Sequence, residues 1–196
     1  MAYQGEYFIR RYGKDAVQGA PPIKKMLAMG LPVGAGTDGT RVASYHPWTC
    51  MWWMVAQRTV GGTALGGEGD RLTREEALRR FTQGSAWFSG EDGAKGILAP
   101  GYLADIAVLD RDYFDVSENE IRGTESVLTL LGGEIVYGAG DFRDRCPDLP
   151  PVSPAWSPVA AYGGYDNSVP EPPAHAHTPV MSADGRVWET GCGCSL

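Results

Sequence analysis

Histidine is the scarcest chemistry-bearing residue in this chain. Three occur in 196 residues, and His46 is the one that precedes residue 140. A hydrolytic zinc centre takes about three protein ligands, so the first two thirds of the chain hold too few imidazoles to build one from histidine. Cysteine is also sparse, at Cys50, Cys146, Cys192 and Cys194. That set makes no secreted disulfide framework and points to a reduced compartment. Basic residues are outnumbered, 17 Lys and Arg against 24 Asp and Glu, for a net charge of −7. The balance argues against nucleic acid and anionic membranes as partners. No apolar run approaches the roughly 18 residues of a membrane span. The opening MAYQGEYFIRRYG lacks the apolar centre of a secretion signal, and the expected location is cytoplasmic, a leader on a longer parent apart. Length sets a further bound. A complete eight-stranded α/β barrel needs about 250 residues, whereas this chain suffices for one sizeable core, or one and a half domains.

What is there is organised around Gly30 to Thr40. Leu31 to Ala35 is short, apolar and uncharged, which predicts a strand buried on both faces. Gly36 and Gly39 allow a tight turn where that strand ends. Asp38 would then stand at the carboxyl end of a buried strand, where α/β proteins place their chemistry. An isolated Asp-Gly is simply a turn; the segments around this one add the functional reading.

Helices are expected over residues 3–12, after Pro21-Pro22 as far as a Gly30 cap, and over about 47–59 behind Pro47. In the last of these, Trp48, Met51, Trp52 and Val55 make an apolar stripe of core type. Gly61 to Gly69 is a glycine-rich loop without the Lys-Ser/Thr of a phosphate loop. Thr73-x-x-Glu76 is a capping box opening a helix with Ala77, Leu78 and Phe81, and a second short helix is expected over 82–89. The turn-rich run Gly96 to Asp105 leads into a strand at 106–110. Strands at 126–131 and 134–137 joined by Gly132-Gly133 read as a hairpin. From Cys146 onward lie nine of the 14 prolines, and no periodicity survives, so 146–196 is expected to be irregular, either a wrapped arm or disordered. The expected division is 1–95, 96–145 and 146–196.

Three segments carry a resemblance. Gly36-Thr37-Asp38-Gly39 follows an apolar strand and precedes His46-Pro47-Trp48. Leu72 to Leu78 runs on through Thr82-Gln83-Gly84-Ser85-Ala86. Lys95-Gly96-Ile97-Leu98-Ala99-Pro100-Gly101 continues through Asp105 into Ile106 to Asp110, with Gly132 to Tyr137 beyond. In order and spacing these resemble the carboxyl-terminal part of the metal-dependent amidohydrolases, in their amidohydrolase-3 branch of TIM-barrel hydrolases, over roughly residues 20–140. The resemblance implies an α/β fragment: the last barrel strand with its helices in 1–95, part of the small β-sandwich in 96–145, then the tail. It also implies that Asp38 binds a divalent metal, zinc by expectation, and takes a proton from the metal-bound water. The substrate would be a small amide-type molecule. The family's His-x-His, its bridging Lys or Glu and its two mid-barrel histidines are absent before Asp38. The chain alone is therefore expected to be inactive, and either to self-associate or to take an amino-terminal subunit.

Other candidates stand beside Asp38. Arg41 could grip a substrate carboxylate or form an exposed salt bridge. His46 could cap the helix behind it or face the same pocket as Asp38. In the tail, His175, His177, Cys192 and Cys194 could supply four tetrahedral zinc ligands, or be incidental to a flexible segment. The competing functional class is a non-catalytic metal-binding or interaction module on a decayed amidohydrolase scaffold.

Overall fold

Helix α4, Pro47–Ala56, has no polar face to offer water, and the described chain wraps around it. A computed structural model describes residues 1–39 and 45–148, together with the backbone of 180–181 and 187–188. The helices before α4 are α1 (Gly5–Tyr12), α2 (Lys14–Val17) and α3 (Ile23–Ala28). After it come α5 (Arg74–Arg79), a π-helical turn at Arg80–Gly84 and α6 (Ser85–Phe88), which follow one another without a break. Strands β1 (Ile106–Leu109), β2 (Ser126–Leu131) and β3 (Glu134–Gly138) form one antiparallel sheet in the order β1-β2-β3. A 3-10 segment at Glu118–Gly123 links β1 to β2.

Helix α4 buries Trp48, Met51, Trp52, Trp53, Met54 and Val55. An all-round apolar helix has to be enclosed, and its carboxyl end shows how. The last carbonyls of a helix have no intrahelical donors. Here Gln57 N–H closes on Trp53 O at 2.8 Å, Leu72 N–H donates to Met54 O at 3.0 Å, and Arg71 Nε donates to Val55 O at 2.7 Å. Gln57 takes the left-handed conformation at φ +50° and ends the helix earlier than the expected 59. Residues 57–72 thus fold back over the helix they follow. Arg71 also pairs with Glu118, and Arg74 donates to the Tyr113 and Val116 carbonyls. Tyr113 returns a bond, its hydroxyl donating to Arg74 O at 2.9 Å. Its ring lies 5.3 Å from that of Trp48, and burial pushes its phenol up to about 12. Ile121 and Thr124, both fully buried, close the core on this side.

The sheet is built as its sequence pattern asks. Gly132 and Gly133, at φ +58° and +89°, supply the positive dihedrals of a two-residue hairpin. Ile106 faces Leu130 and Val108 faces Leu128 across the first ladder. The sheet is thinly covered, however. Val108, Leu131, Val136 and Tyr137 stay 37–61% exposed, and Leu109 is the strand residue that packs on the main core.

Some expectations need correction. Leu31 to Ala35 forms no strand, and Leu31 is 44% exposed. A strand buried on both faces needs parallel neighbours, and the sheets among the described residues are antiparallel. The segment instead lies as an extended arm against the π-helical turn. The described architecture is a mix of helices with a small antiparallel sheet. The expected second helix at 82–89 is the continuation of α5 through that turn, and α2 is an additional element. Within 146–196, strands β4 (Val180–Met181) and β5 (Val187–Trp188) pair antiparallel, so this part of the tail is not wholly irregular. No helix among the described residues is long and apolar enough to cross a membrane.

Lys24 Nζ contacts both Glu76 carboxylate oxygens, at 2.9 and 2.7 Å, and so ties α3 to α5. The capping box is complete: Glu76 N–H donates to Thr73 Oγ1 at 3.1 Å, and Thr73 N–H to Glu76 Oε2 at 2.8 Å. Burial alone raises the Glu76 carboxyl; the bonds from Lys24 and Thr73 outweigh it and hold the group below its ordinary 4.5. A carboxylate with a lowered folded pKa gives stability that is present above 4.5 and lost as pH falls through the lowered value. Glu76→Gln should therefore melt lower than the native chain near neutral pH, and the gap should close below the lowered pKa, as thermal melts from roughly pH 7 to pH 3 will show. Truncating the core is a separate test. Ile121→Ala should cost about 2–5 kcal/mol in urea unfolding, whereas Leu98→Ala, at a side chain 77% exposed, should stay within about 0.5 kcal/mol.

Candidate active site

Asp38 lies three residues beyond Ala35, exposed, with its backbone in the left-handed region at φ +49°. Aspartate tolerates that region better than most residues, yet it is an uncommon one, and such positions gather at functional sites. The turn is held locally: Gly39 N–H donates to Thr37 Oγ1 at 3.2 Å, a hydroxyl turn that brackets Asp38.

The base of the arm is held by the helical run behind it. Ala35 N–H donates to Arg80 O at 2.9 Å, and the Ser85 hydroxyl donates to Ala35 O at 2.8 Å. Arg80 Nη1 donates to Val33 O at 3.2 Å. At Gly84 any side chain would overlap the Val33 carbonyl oxygen, so this approach requires glycine. A shallow depression of about 350 Å³, lined by Gly34, Ala35, Ser85 and Phe88, lies at this contact.

Of the other sequence-predicted residues, His46 is the one that the structure describes. His46 is buried, 7% exposed, at the residue preceding α4, and its side chain does not cap the helix. Arg41, His175, His177, Cys192 and Cys194 lie outside the described residues. Among the described residues no group of three or more His, Cys, Asp or Glu comes together. One exposed carboxylate does not make a metal centre, so the described residues by themselves do not fit a zinc site.

A cleft of about 440 Å³ lies elsewhere, between the end of α4 and the Glu118–Gly123 segment, with Trp52, Arg58, Glu118, Asn119 and Arg122 on its walls. Arg122 stacks 4.5 Å above the Trp52 ring, and Glu118 is engaged by Arg71. These groups clamp the core and hold no predicted site residue. Sequence reasoning passed over Arg80 and gave no contact to Gly84 and Ser85, although both lie in a segment that carries the resemblance. A glycine inside a helix costs about 1 kcal/mol against alanine, so Gly84 was the signal: a close backbone approach is what repays it.

Comparison with known proteins gives the family. The chain is 33% identical over 116 residues to the N-substituted formamide deformylase of Arthrobacter pascens, covering 59% of this chain and 21% of that protein. It is 28% identical over 134 residues to YtcJ of Bacillus subtilis (strain 168), assigned to the amidohydrolases, covering 67% and 25%. A 5-methylthioadenosine/S-adenosylhomocysteine deaminase of Desulfovibrio desulfuricans (strain ATCC 27774 / DSM 6949 / MB) is 29% identical over 133 residues, covering 63% and 29%. The chain thus spans between a fifth and a third of the length of the curated relatives it matches. No solved structure matches it. The amidohydrolase family model matches residues 1–137, a stretch that takes in the arm, the π-helical turn and the sheet, and the chain belongs to the amidohydrolase family.

Proposed function

We propose that this chain is the carboxyl-terminal portion of a hydrolase acting on non-peptide carbon–nitrogen bonds of amide type, with Asp38 as its proton-handling carboxylate. The observation that carries the reading is the presentation of Asp38. It is an exposed acid in a left-handed turn, on an arm gripped at its base, inside the segment matched to the family. The names of two relatives, a deformylase of N-substituted formamides and a deaminase, support carbon–nitrogen cleavage as the reaction class.

The chemistry asked of Asp38 follows from the bond. Water attacks a carbonyl-type carbon poorly unless its proton is removed, and an amine leaves poorly unless it is protonated. A single carboxylate can accept the proton from the water and return it to the departing nitrogen. The family reading also brings in a divalent metal, zinc by expectation. The described residues supply too few ligands for it, so no step is derived through a metal. The same shortage supports the view that the chain has no turnover by itself.

The test has two arms. This chain, with zinc added, should hydrolyse N-substituted formamides no faster than background. A chimera in which the 116 residues of this chain that match the Arthrobacter deformylase replace their counterpart in it should turn over, and Asp38→Asn in it should lower kcat by about 10²-fold or more. A chimera that melts cooperatively yet is inactive, or whose turnover ignores Asp38→Asn, would overturn the proposal.

A further inference from the structure

We propose that Ser85, with Arg80, is a positioning residue for Asp38: the π-helical turn acts as a surrogate neighbouring strand that holds the arm and sets the aspartate's backbone. The inference rests on the reading of Asp38 given above. In a sheet, a residue of a ladder is held through both its N–H and its C=O. Ala35 has no strand beside it among the described residues, and both groups are nonetheless held, N–H by Arg80 O at 2.9 Å and C=O by the Ser85 hydroxyl at 2.8 Å. The Ser85 oxygen also lies 3.1 Å from Arg80 O. A hydroxyl has one proton, and the shorter contact assigns it to Ala35 O.

The geometry that permits this is specific to the wide turn. Arg80 begins the π-helical segment and Ser85 follows its end, so the two groups that grip Ala35 come from the two edges of one bulge. Single π turns inside α-helices recur at functional sites. Arg80 contributes a second hold, since its guanidinium donates to Val33 O at 3.2 Å while its Nε is anchored on Glu76 O at 3.2 Å. Gly84, between them, lets the arm lie against the helix backbone. From Ala35 the chain reaches Asp38 through Gly36 and Thr37, and the Thr37 turn completes the path. A grip at Ala35 therefore limits where the Asp38 carboxylate can go.

The test uses the full isotope-labelled chain in solution and reads no turnover, so it is independent of the hydrolytic reading. Two signals are followed: hydrogen exchange of the Ala35 amide and the φ-sensitive scalar couplings of Asp38. Ser85→Ala should speed Ala35 exchange about tenfold, the loss of one ordinary hydrogen bond, and should move the Asp38 couplings toward an extended average. Exchange at Gln57, in the α4 cap, should be unchanged. Ser85→Thr, which keeps the hydroxyl, should restore both signals. Arg80→Met, which frees Val33 O and leaves Ser85 in place, is the second variant and should move the same couplings. Asp38 couplings that stay native in Ser85→Ala and Arg80→Met would overturn the proposal. So would faster exchange shared equally by Gln57, or a Ser85→Thr chain that behaves like Ser85→Ala.

Discussion

A ten-residue helix with almost nothing to show to water is the constraint on which the rest of this structure depends. Eight of the ten residues of α4 are buried. Fully burying each large apolar side chain favours folding by roughly 1.5–3 kcal/mol, so every surrounding segment gains by lying against this helix. Enclosure also creates a problem, because carbonyls at the helix end are taken from water along with the side chains. The return of residues 57–72 answers it with Arg71 and the Leu72 amide. The same arginine reaches on to Glu118, and Arg74 to the chain before it. One apolar helix thus determines where α5 starts and where the Glu118–Gly123 segment sits.

That placement matters for the arm. α5 continues through the π-helical turn into α6, so the face that meets Val33 to Ala35 is oriented by the packing of α5 on α4. Lys24 adds a second fixed point by tying α3 to Glu76. The arm leaves α3 at one end and is gripped by Arg80 and Ser85 at the other. Its course is set from both sides without a sheet.

Local chemistry was legible in the sequence; long-range supply was not. The Thr73–Glu76 capping box, the Gly132-Gly133 hairpin and the Pro47 helix start each depend on a few adjacent residues, and each appears where its residues predict. The Trp48, Met51, Trp52 and Val55 stripe was read too narrowly, because Trp53 and Met54 are buried as well. A run with so few polar residues has no stripe, and its periodicity says little about which side is inside. Leu31 to Ala35 was misread for the opposite reason. Its apolar character states what the segment prefers to touch, while strand formation depends on partners elsewhere in sequence. Asp38 was singled out through its motif, while its left-handed backbone and the hold on Ala35 carry no sequence signal. Arginine and serine in a helix carry no local mark that they face a backbone fifty residues away.

On the proposed reading, one exposed carboxylate can be well placed without being a complete site. A general acid–base group needs a restricted position more than it needs burial, since proton transfer falls away once the carboxylate leaves hydrogen-bond reach. Exposure keeps Asp38 open to further groups. The hold on Ala35, the Thr37 turn and the positive φ limit how far the aspartate can wander. A left-handed aspartate costs on the order of 1 kcal/mol, about what one net hydrogen bond returns. The bonds at Val33 and Ala35 are therefore of the right size to stabilise the turn, and too few to do so if several were removed. On the same reading, the aspartate depends on the helix behind the arm, and that helix is itself packed on the apolar surface of α4.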